Sequence, residues 1–209
     1  MTEIKDQSVQ TFLDQLASKA STPGGGSAAA VMGATSVALT SMVCNLTIGK
    51  KGYEAVQDDM QALLVKSEAL REQMTAMIKA DVEVFNRVMA SYGMAKDTDE
   101  QKAERSAEIQ EALKVATDVP LDCARACAEA IALSREAAEK GNTNVVSDAG
   151  VAVMAAYGAL KSAALNVYIN IGSIKDKDFA DNRQAALEAI LQTADIATEE
   201  IYKMVKDKL

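Results

Sequence analysis

The sequence predicts an all-α protein: a single multihelical bundle of about seven helices, with two small-residue helices at its centre. Three observations lead there. The chain has only 2 prolines and 4% aromatic residues among many Ala, Met, Glu, Lys and Gln, a composition that favours helix over strand. Apolar residues return every three or four positions over long stretches, and nowhere do they alternate as in a half-buried strand. Helix start and stop signals punctuate those stretches. With 209 residues the chain can bury a sizeable core, and no linker, repeat or low-complexity tract divides it, so one domain over 1–209 is expected.

The first helix is expected over about 8–19, with Phe12, Leu13 and Leu16 facing inward. The second, about 27–47, is apolar or small all round and follows Thr22-Pro23-Gly24-Gly25-Gly26-Ser27. Pro23 keeps helix out of that loop, the glycines allow a tight turn and close approach, and Ser27 is a natural N-cap. The third runs over about 53–92, on a stripe that includes Met60, Leu63, Met74, Ile78, Phe85 and Met89, and Gly93 ends it. Thr98 and Gln101 form a capping box for the fourth, about 99–117. Asp118 and Pro120 break the pattern and start the fifth, about 120–139, which Gly141 closes. The sixth covers about 147–172, capped by Ser147 or Asp148, and the seventh about 177–207.

Residues 27–46 carry no charge, and the sixth helix holds Lys161 in its middle. Their many Ala, Gly, Ser and Thr residues give low hydropathy for a membrane span, so both are read as central helices of a soluble bundle.

Charge and composition exclude several functions. A net charge of −8 with interspersed acids and bases argues against a nucleic-acid partner. The polar, mixed-charge N-terminal residues show no targeting segment. Cys44, Cys123 and Cys127 make no disulfide framework, which fits a reducing cytoplasm and buried structural thiols. The chain has no histidine. That removes the commonest general base and metal ligand, and every Ser-His or Cys-His design. Cys123 and Cys127 share a helix face, but a zinc site needs more partners, and no metal is expected. Acid–base chemistry falls to Asp, Glu, Lys, Tyr or a held water.

Some polar residues sit where packing alone would not put them. The loop Gly24 to Ser27 offers bare N–H groups at a helix N-terminus, suited to an anion or a polar ligand edge, or it is simply a tight loop. It is neither a P-loop nor a dinucleotide fingerprint. Asp81 lies on the apolar stripe of the third helix and must be partnered, protonated or facing a cavity. It is either a structural bond to a neighbouring helix end or an acid–base group of raised pKa. Ser162, Asn166 and Asn170 form a stripe for helix–helix bonding or an amide-lined slot for a flat heterocycle. The loop Gly141 to Gly150, with Asn142, Ser147 and Asp148, precedes the other uncharged helix; if it met the glycine loop, the two would line a pocket. Lys50 and Lys51, and Lys96 after Tyr92, are candidates to hold an anionic tail or are simply solvated.

Four blocks of sequence carry a resemblance: Thr22 to Ser27, Met42 to Lys51, Ser147 to Ala152 and Ala164 to Asn170. In this order they resemble the cyclodeaminase/cyclohydrolase family, which includes the cyclodeaminase domain of formiminotransferase-cyclodeaminase and free-standing bacterial methenyltetrahydrofolate cyclohydrolases. The resemblance spans nearly the whole chain, and the stretches Tyr92 to Gln110 and Ala116 to Leu121 are also similar to the free-standing enzymes. It implies an all-helical homodimer acting on the N5–N10 one-carbon bridge of tetrahydrofolate, with no metal, nucleotide cofactor or covalent nucleophile. Hydrolysis of 5,10-methenyltetrahydrofolate to 10-formyltetrahydrofolate is the expected reaction. The alternatives are cyclodeamination of 5-formiminotetrahydrofolate with release of ammonia, and a non-catalytic folate-binding or scaffold protein. Asp148 and Asp81 are the expected acid–base or cation-stabilising carboxylates. Gly24, Gly25, Gly26, Ser27, Asn166 and Asn170 are expected at the pterin or its bridge, Asn142 and Ser147 on the same pocket, and Lys50 and Lys96 on the glutamate tail.

Overall fold

In the computed structural model, which describes residues 3–209, the two helices poorest in bulky side chains lie at the centre. They are α2 (Gly25–Asn45) and α5 (Val146–Ile171). Ala29, Ala30, Val37 and Val43 of α2, and Ala152, Ala156, Ala159 and Ala163 of α5, are buried almost completely. Small side chains let backbones approach closely, and longer helices wrap the pair: α3 (Gln57–Tyr92), α4 (Asp99–Lys140) and α6 (Lys177–Lys206). A short α1 (Val9–Leu16) lies outside them. Single 3-10 turns stand at Ile4–Asp6, Glu54–Val56 and Thr143–Val145, and no strand occurs among the described residues. α2 and α5 are each long and apolar enough to cross a membrane, but about half of each apolar window is buried inside the bundle.

α2 and α5 run antiparallel. Gly25 at the start of α2 lies beside Asn166 near the end of α5, while Leu46, just past α2, bonds Asn142 just before α5. The bundle therefore has a glycine end and a lysine end. At the glycine end α3 and α4 overhang, tied by Arg87 to Glu108 at 3.0 Å and by Arg105 to the Tyr92 carbonyl. Phe85, Met89 and Tyr92 of the overhang are exposed.

The expected helices exist, with four corrections. α1 buries nothing: Leu13 is exposed, and Phe12 only lines a surface groove with Ile4 and Val31. α2 starts earlier than expected, because Gly25 and Gly26 already take helical geometry and Gly24 is its N-cap. Ser27 is thus inside the first turn, its hydroxyl free to serve another group. α5 likewise starts after Val145, so Ser147 and Asp148 are first-turn residues and not caps.

The fourth correction is the largest. The two helices expected around Pro120 are one 42-residue helix, α4, so the described residues form six α-helices rather than seven. A proline inside a helix removes one N–H and clashes with the carbonyl four residues back. Here that carbonyl, of Ala116, receives another donor: Asn170 Nδ2 on α5 at 2.6 Å. Asp118 is held across α6 by Arg183, whose Nε donates to Oδ1 at 2.7 Å. Neighbouring helices supply what the local sequence lacks, and α4 continues. Its other signals hold: the Thr98–Gln101 capping box forms, and Gly141 closes it. A Cβ on Gly141 would stand 2.5 Å from Val43 Cγ1, so close packing on α2 requires the glycine.

Candidate functional site

Asp81 organises the glycine end. It projects from α3 onto the first turn of α2, where the Ser27 hydroxyl donates to Oδ2 at 2.7 Å. Ser27 is fully buried. A Cβ on Gly26 would fall 1.9 Å from Asp81 Oδ1, so only glycine admits the carboxyl this close to the helix. Burial is the largest influence on Asp81 and raises its pKa; the bonds from the Ser27 hydroxyl and backbone N–H oppose that rise without cancelling it. The sequence left Asp81 to be partnered, protonated or facing a cavity; its carboxyl is partnered by Ser27 and borders a cavity. Beside it is a cavity of about 10 Å³, room for about one water. Gly26, Met77, Val119, Pro120, Cys123 and Ala163 line it with Asp81.

Asn166 closes one side of this end. Its Nδ2 donates to the Ser162 carbonyl at 2.9 Å, and its amide lies within 4 Å of where a Cβ on Gly25 would be. Ser162 bonds its own helix at the Gly158 carbonyl. Asn170, one turn beyond Asn166, secures Ala116 and so fixes the α4 wall that carries Val119 and Pro120. Of the residues expected at the site, Gly24, Gly25, Gly26, Ser27, Asp81, Asn166 and Asn170 thus gather in one place. Sequence reasoning missed Val119, Pro120 and Cys123 in the wall. Pro120 carried a signal, since a proline amid helix-forming residues marks either a break or a wall that needs an outside donor.

Lys50, Asn142, Ser147 and Asp148 are at the lysine end. From Asp148 to Asn166 is about 27 Å along α5, at about 1.5 Å per residue. The expected meeting of the two loops within one chain does not occur: antiparallel packing puts the N-termini of α2 and α5 at opposite ends. Asn142 is fully engaged. Its backbone N–H donates to Thr47 Oγ1 at 2.8 Å, its Nδ2 to the Leu46 carbonyl at 2.9 Å, and its Oδ1 accepts from the Asn144 N–H at 3.1 Å. Nearby, the Tyr53 hydroxyl accepts from the Thr143 N–H at 2.9 Å. The Thr143 hydroxyl and amide lower the Tyr53 pKa, helped by the charges of Lys50 and Lys208. Lys50 is half-buried, Ser147 exposed and Asp148 half-buried, and none of the three side chains has a hydrogen-bond or ion-pair partner among the described residues. Lys96 is in the exposed turn at the tip of the overhang, roughly 16 Å or more beyond Asp81 by helix rise.

All three cysteines are free and buried. Burial pushes the Cys44 thiol up to about 12, with Glu136 adding to the effect, and Cys127 is also raised. Among the described residues no three His, Cys, Asp or Glu side chains cluster as metal ligands.

A family model described as formiminotransferase-cyclodeaminase matches residues 8–189. The chain is 57% identical over 204 residues to the methenyltetrahydrofolate cyclohydrolase of Methylorubrum extorquens, covering 98% of both. It is 30% identical over 189 residues to the formimidoyltransferase-cyclodeaminase of Rattus norvegicus, covering 90% of this chain and 35% of that one. Among solved structures, the formiminotetrahydrofolate cyclodeaminase of Thermotoga maritima matches with a TM-score of 0.83 at 33% identity, over 99% of this chain and 98% of that one.

Proposed function

Because the chain belongs to the formiminotransferase-cyclodeaminase family, we propose that it is a methenyltetrahydrofolate cyclohydrolase, opening 5,10-methenyltetrahydrofolate to 10-formyltetrahydrofolate. The observation that carries this reading is the 57% identity to an enzyme of that name over 98% of both chains. The solved cyclodeaminase, at 33% identity, favours the second reading, ring closure of 5-formiminotetrahydrofolate with loss of ammonia.

The chemistry suits the glycine end. Water adds its oxygen to the cationic methenyl carbon and gives up a proton. The C–N5 bond then breaks and N5 takes a proton. Water thus supplies two protons, one to N5 and one to solvent, and the cationic charge disappears. Asp81 accepts the first proton and returns one to N5; a pKa raised toward the working range helps both steps. The Ser27 hydroxyl holds the carboxyl in place. Asn166 faces the pterin amide edge. Asp148 steadies the cation or moves protons, and Lys50 and Lys96 attract the glutamate tail. Water and these side chains balance the reaction, so no metal or cofactor is required.

The protein works as a homodimer in the cytoplasm, without nucleic acid or membrane. Free buried thiols, a net charge of −8 and the half-burial of both apolar helices support that setting.

The test is the absorbance of methenyltetrahydrofolate in a non-nucleophilic buffer, because the compound also opens unaided. The protein should accelerate its loss and release no ammonia from the formimino compound. Ammonia release without ring opening would assign the cyclodeaminase reaction, and neither activity would leave a folate-binding or scaffold protein.

A further inference from the structure

We propose that the uncovered face of α3 beyond Asp81 is the wall on which the substrate's aryl ring lies, and that Phe85 sets the preference for substrates carrying that ring. This rests on the proposed folate substrate and adds a subsite and a specificity residue to it.

The wall follows from a mismatch of helix lengths. At spacings of three and four residues, Met74, Ile78 and Asp81 share the face of α3 turned to α2. Met74 packs against Gly33 of α2, and Asp81 meets Ser27 in its first turn. The same spacing carries this face on through Phe85, Val88 and Tyr92. By then α2 has ended, since its first helical residue is Gly25. Met74 and Ile78 are at most 5% exposed, but Phe85 is 36% and Tyr92 45% exposed. About 16 Å of core-type helix surface therefore stands without its partner helix, at about 1.5 Å per residue. On the α4 side, Val115 is 40% exposed and lies one turn from Val119, which lines the cavity beside Asp81.

The overhang is tied together without this face. Arg87 pairs with Glu108 at 3.0 Å, and Arg105 bonds the Tyr92 carbonyl. The Arg105 guanidinium also lies 5.8 Å from the centroid of the Tyr92 ring, so that ring already has a companion. Phe85 is the aromatic residue nearest the carboxyl on this helix, one turn on, about 6 Å by helix rise.

The connectivity of the substrate matches this spacing. The reacting carbon joins N5 to N10, and the aryl ring is bonded directly to N10. With the bridge at Asp81 and the pterin toward Asn166, the ring falls within about one helical turn of the carboxyl. In one direction along α3 that space is filled by α2; in the other it is the open face of Phe85. A flat ring laid there gains apolar burial and an offset or edge-to-face contact. The glutamate then runs along the overhang toward Lys96 at its tip.

Paired substrates test the wall. One is 5,10-methenyltetrahydrofolate; the other is the same methenyl pterin with a methyl group on N10 in place of the aryl-glutamate arm. The ratio of their kcat/KM values is measured for the unmutated protein, Phe85→Ala, Phe85→Leu and Phe85→Tyr. Comparing ratios between proteins cancels the compounds' own difference in reactivity. In Phe85→Ala the ratio should fall about 10-fold, mostly through KM for the arm-bearing compound, because a ring contact is shared by ground and transition states. Phe85→Leu should fall part of the way, and Phe85→Tyr should restore the ratio. Calorimetry gives a readout without turnover: tetrahydrofolate should bind Phe85→Ala about 10-fold more weakly, while tetrahydropterin without the arm binds both proteins equally. An unchanged ratio in Phe85→Ala, whether both compounds keep their rates or lose them equally, overturns the proposal. So does a fall in the variant's mass in solution, which would show a second copy covering the face. Phe85-dependent binding of tetrahydrofolate without ring opening in the unmutated protein would keep the wall and refute the cyclohydrolase reading; ring opening with an unchanged ratio would do the reverse.

Discussion

The two ends of the bundle are assembled on different principles. At the glycine end a half-buried carboxyl is pressed onto a helix N-terminus, held by one hydroxyl at 2.7 Å and admitted by a residue with no side chain. At the lysine end, backbone and amide bonds from Asn142 and Thr47 knit the connections, while Lys50 and Asp148 have no ion-pair partner among the described residues. The first end tunes one group through burial; the second holds Lys50 and Asp148 half-buried, with no ion-pair partner among the described residues. Substitutions should therefore act through pKa and fit at the glycine end, and through screened attraction at the lysine end.

Asp81→Asn should have the largest effect, lowering kcat by about two to four orders of magnitude. Its stability should move the other way. Burial raises the Asp81 pKa, so the folded chain takes up this proton at a pH where an unfolded aspartate is still ionised. Between the ordinary and the raised value the folded state binds more protons, and stability falls as pH rises through that window. Asn imitates the neutral form and removes the cost. The variant's thermal midpoint at neutral pH should match or exceed that of the unmutated protein, with the difference closing at pH below the ordinary aspartate value. Unchanged kcat would strip the glycine end of its distinction.

Gly26→Ala tests fit. Its Cβ would overlap the Asp81 carboxyl, which must shift, and a displacement of about 1 Å costs about 100-fold in rate. Gly24→Ala is the comparison, since nothing lies within 4 Å of its Cβ, and it should lose far less activity than Gly26→Ala. Equal rates in the two variants would remove close approach as the reason for the glycines.

Asn170→Ala should cost stability of about 1–3 kcal/mol by orphaning the Ala116 carbonyl. Pro120→Ala restores a backbone N–H there, so in that background the cost of losing Asn170 should shrink. Chemical denaturation of the four proteins in a double-mutant cycle measures the coupling. Additive losses would mean that Asn170 does not serve the proline.

At the lysine end Lys50→Ala should have the smallest effect, raising KM several-fold with little change in kcat, as for binding shared by ground and transition states. The difference should fade with salt, because exposed charges are screened over about 8 Å at physiological ionic strength. A kcat loss indifferent to salt would make this end tuned chemistry as well.

The glycine end was largely legible in the sequence, because its parts break local rules. Asp81 interrupts an apolar stripe, three glycines precede an uncharged helix, and Asn166 and Asn170 lie one turn apart on an apolar rod. Each violation has a physical reason visible one residue at a time. What was hidden depended on partners distant in sequence. Nothing near Pro120 says that Asn170 will supply a donor, so local signals split α4 in two. Ser27 looked like a cap because a serine after glycines usually is one, yet Asp81, 54 positions away, claims its hydroxyl. The direction of α5 against α2 was also invisible, and with it the separation of Asp148 from Asp81.

Pro120 also fixes a length. The bond that Asn170 Nδ2 donates to the Ala116 carbonyl, left free by the proline, ties one position of α4 to one position of α5, and each added residue would turn the preceding stretch by about 100°. One insertion between Leu113 and Ala116 would swing Ile109 and Leu113 out of the core while the tie held. The loop between Gly93 and Thr98 carries no such phase. Viable insertions and deletions in this part of the chain should therefore collect in that loop and avoid α4, a pattern that deep mutational scanning with single-codon changes would display directly.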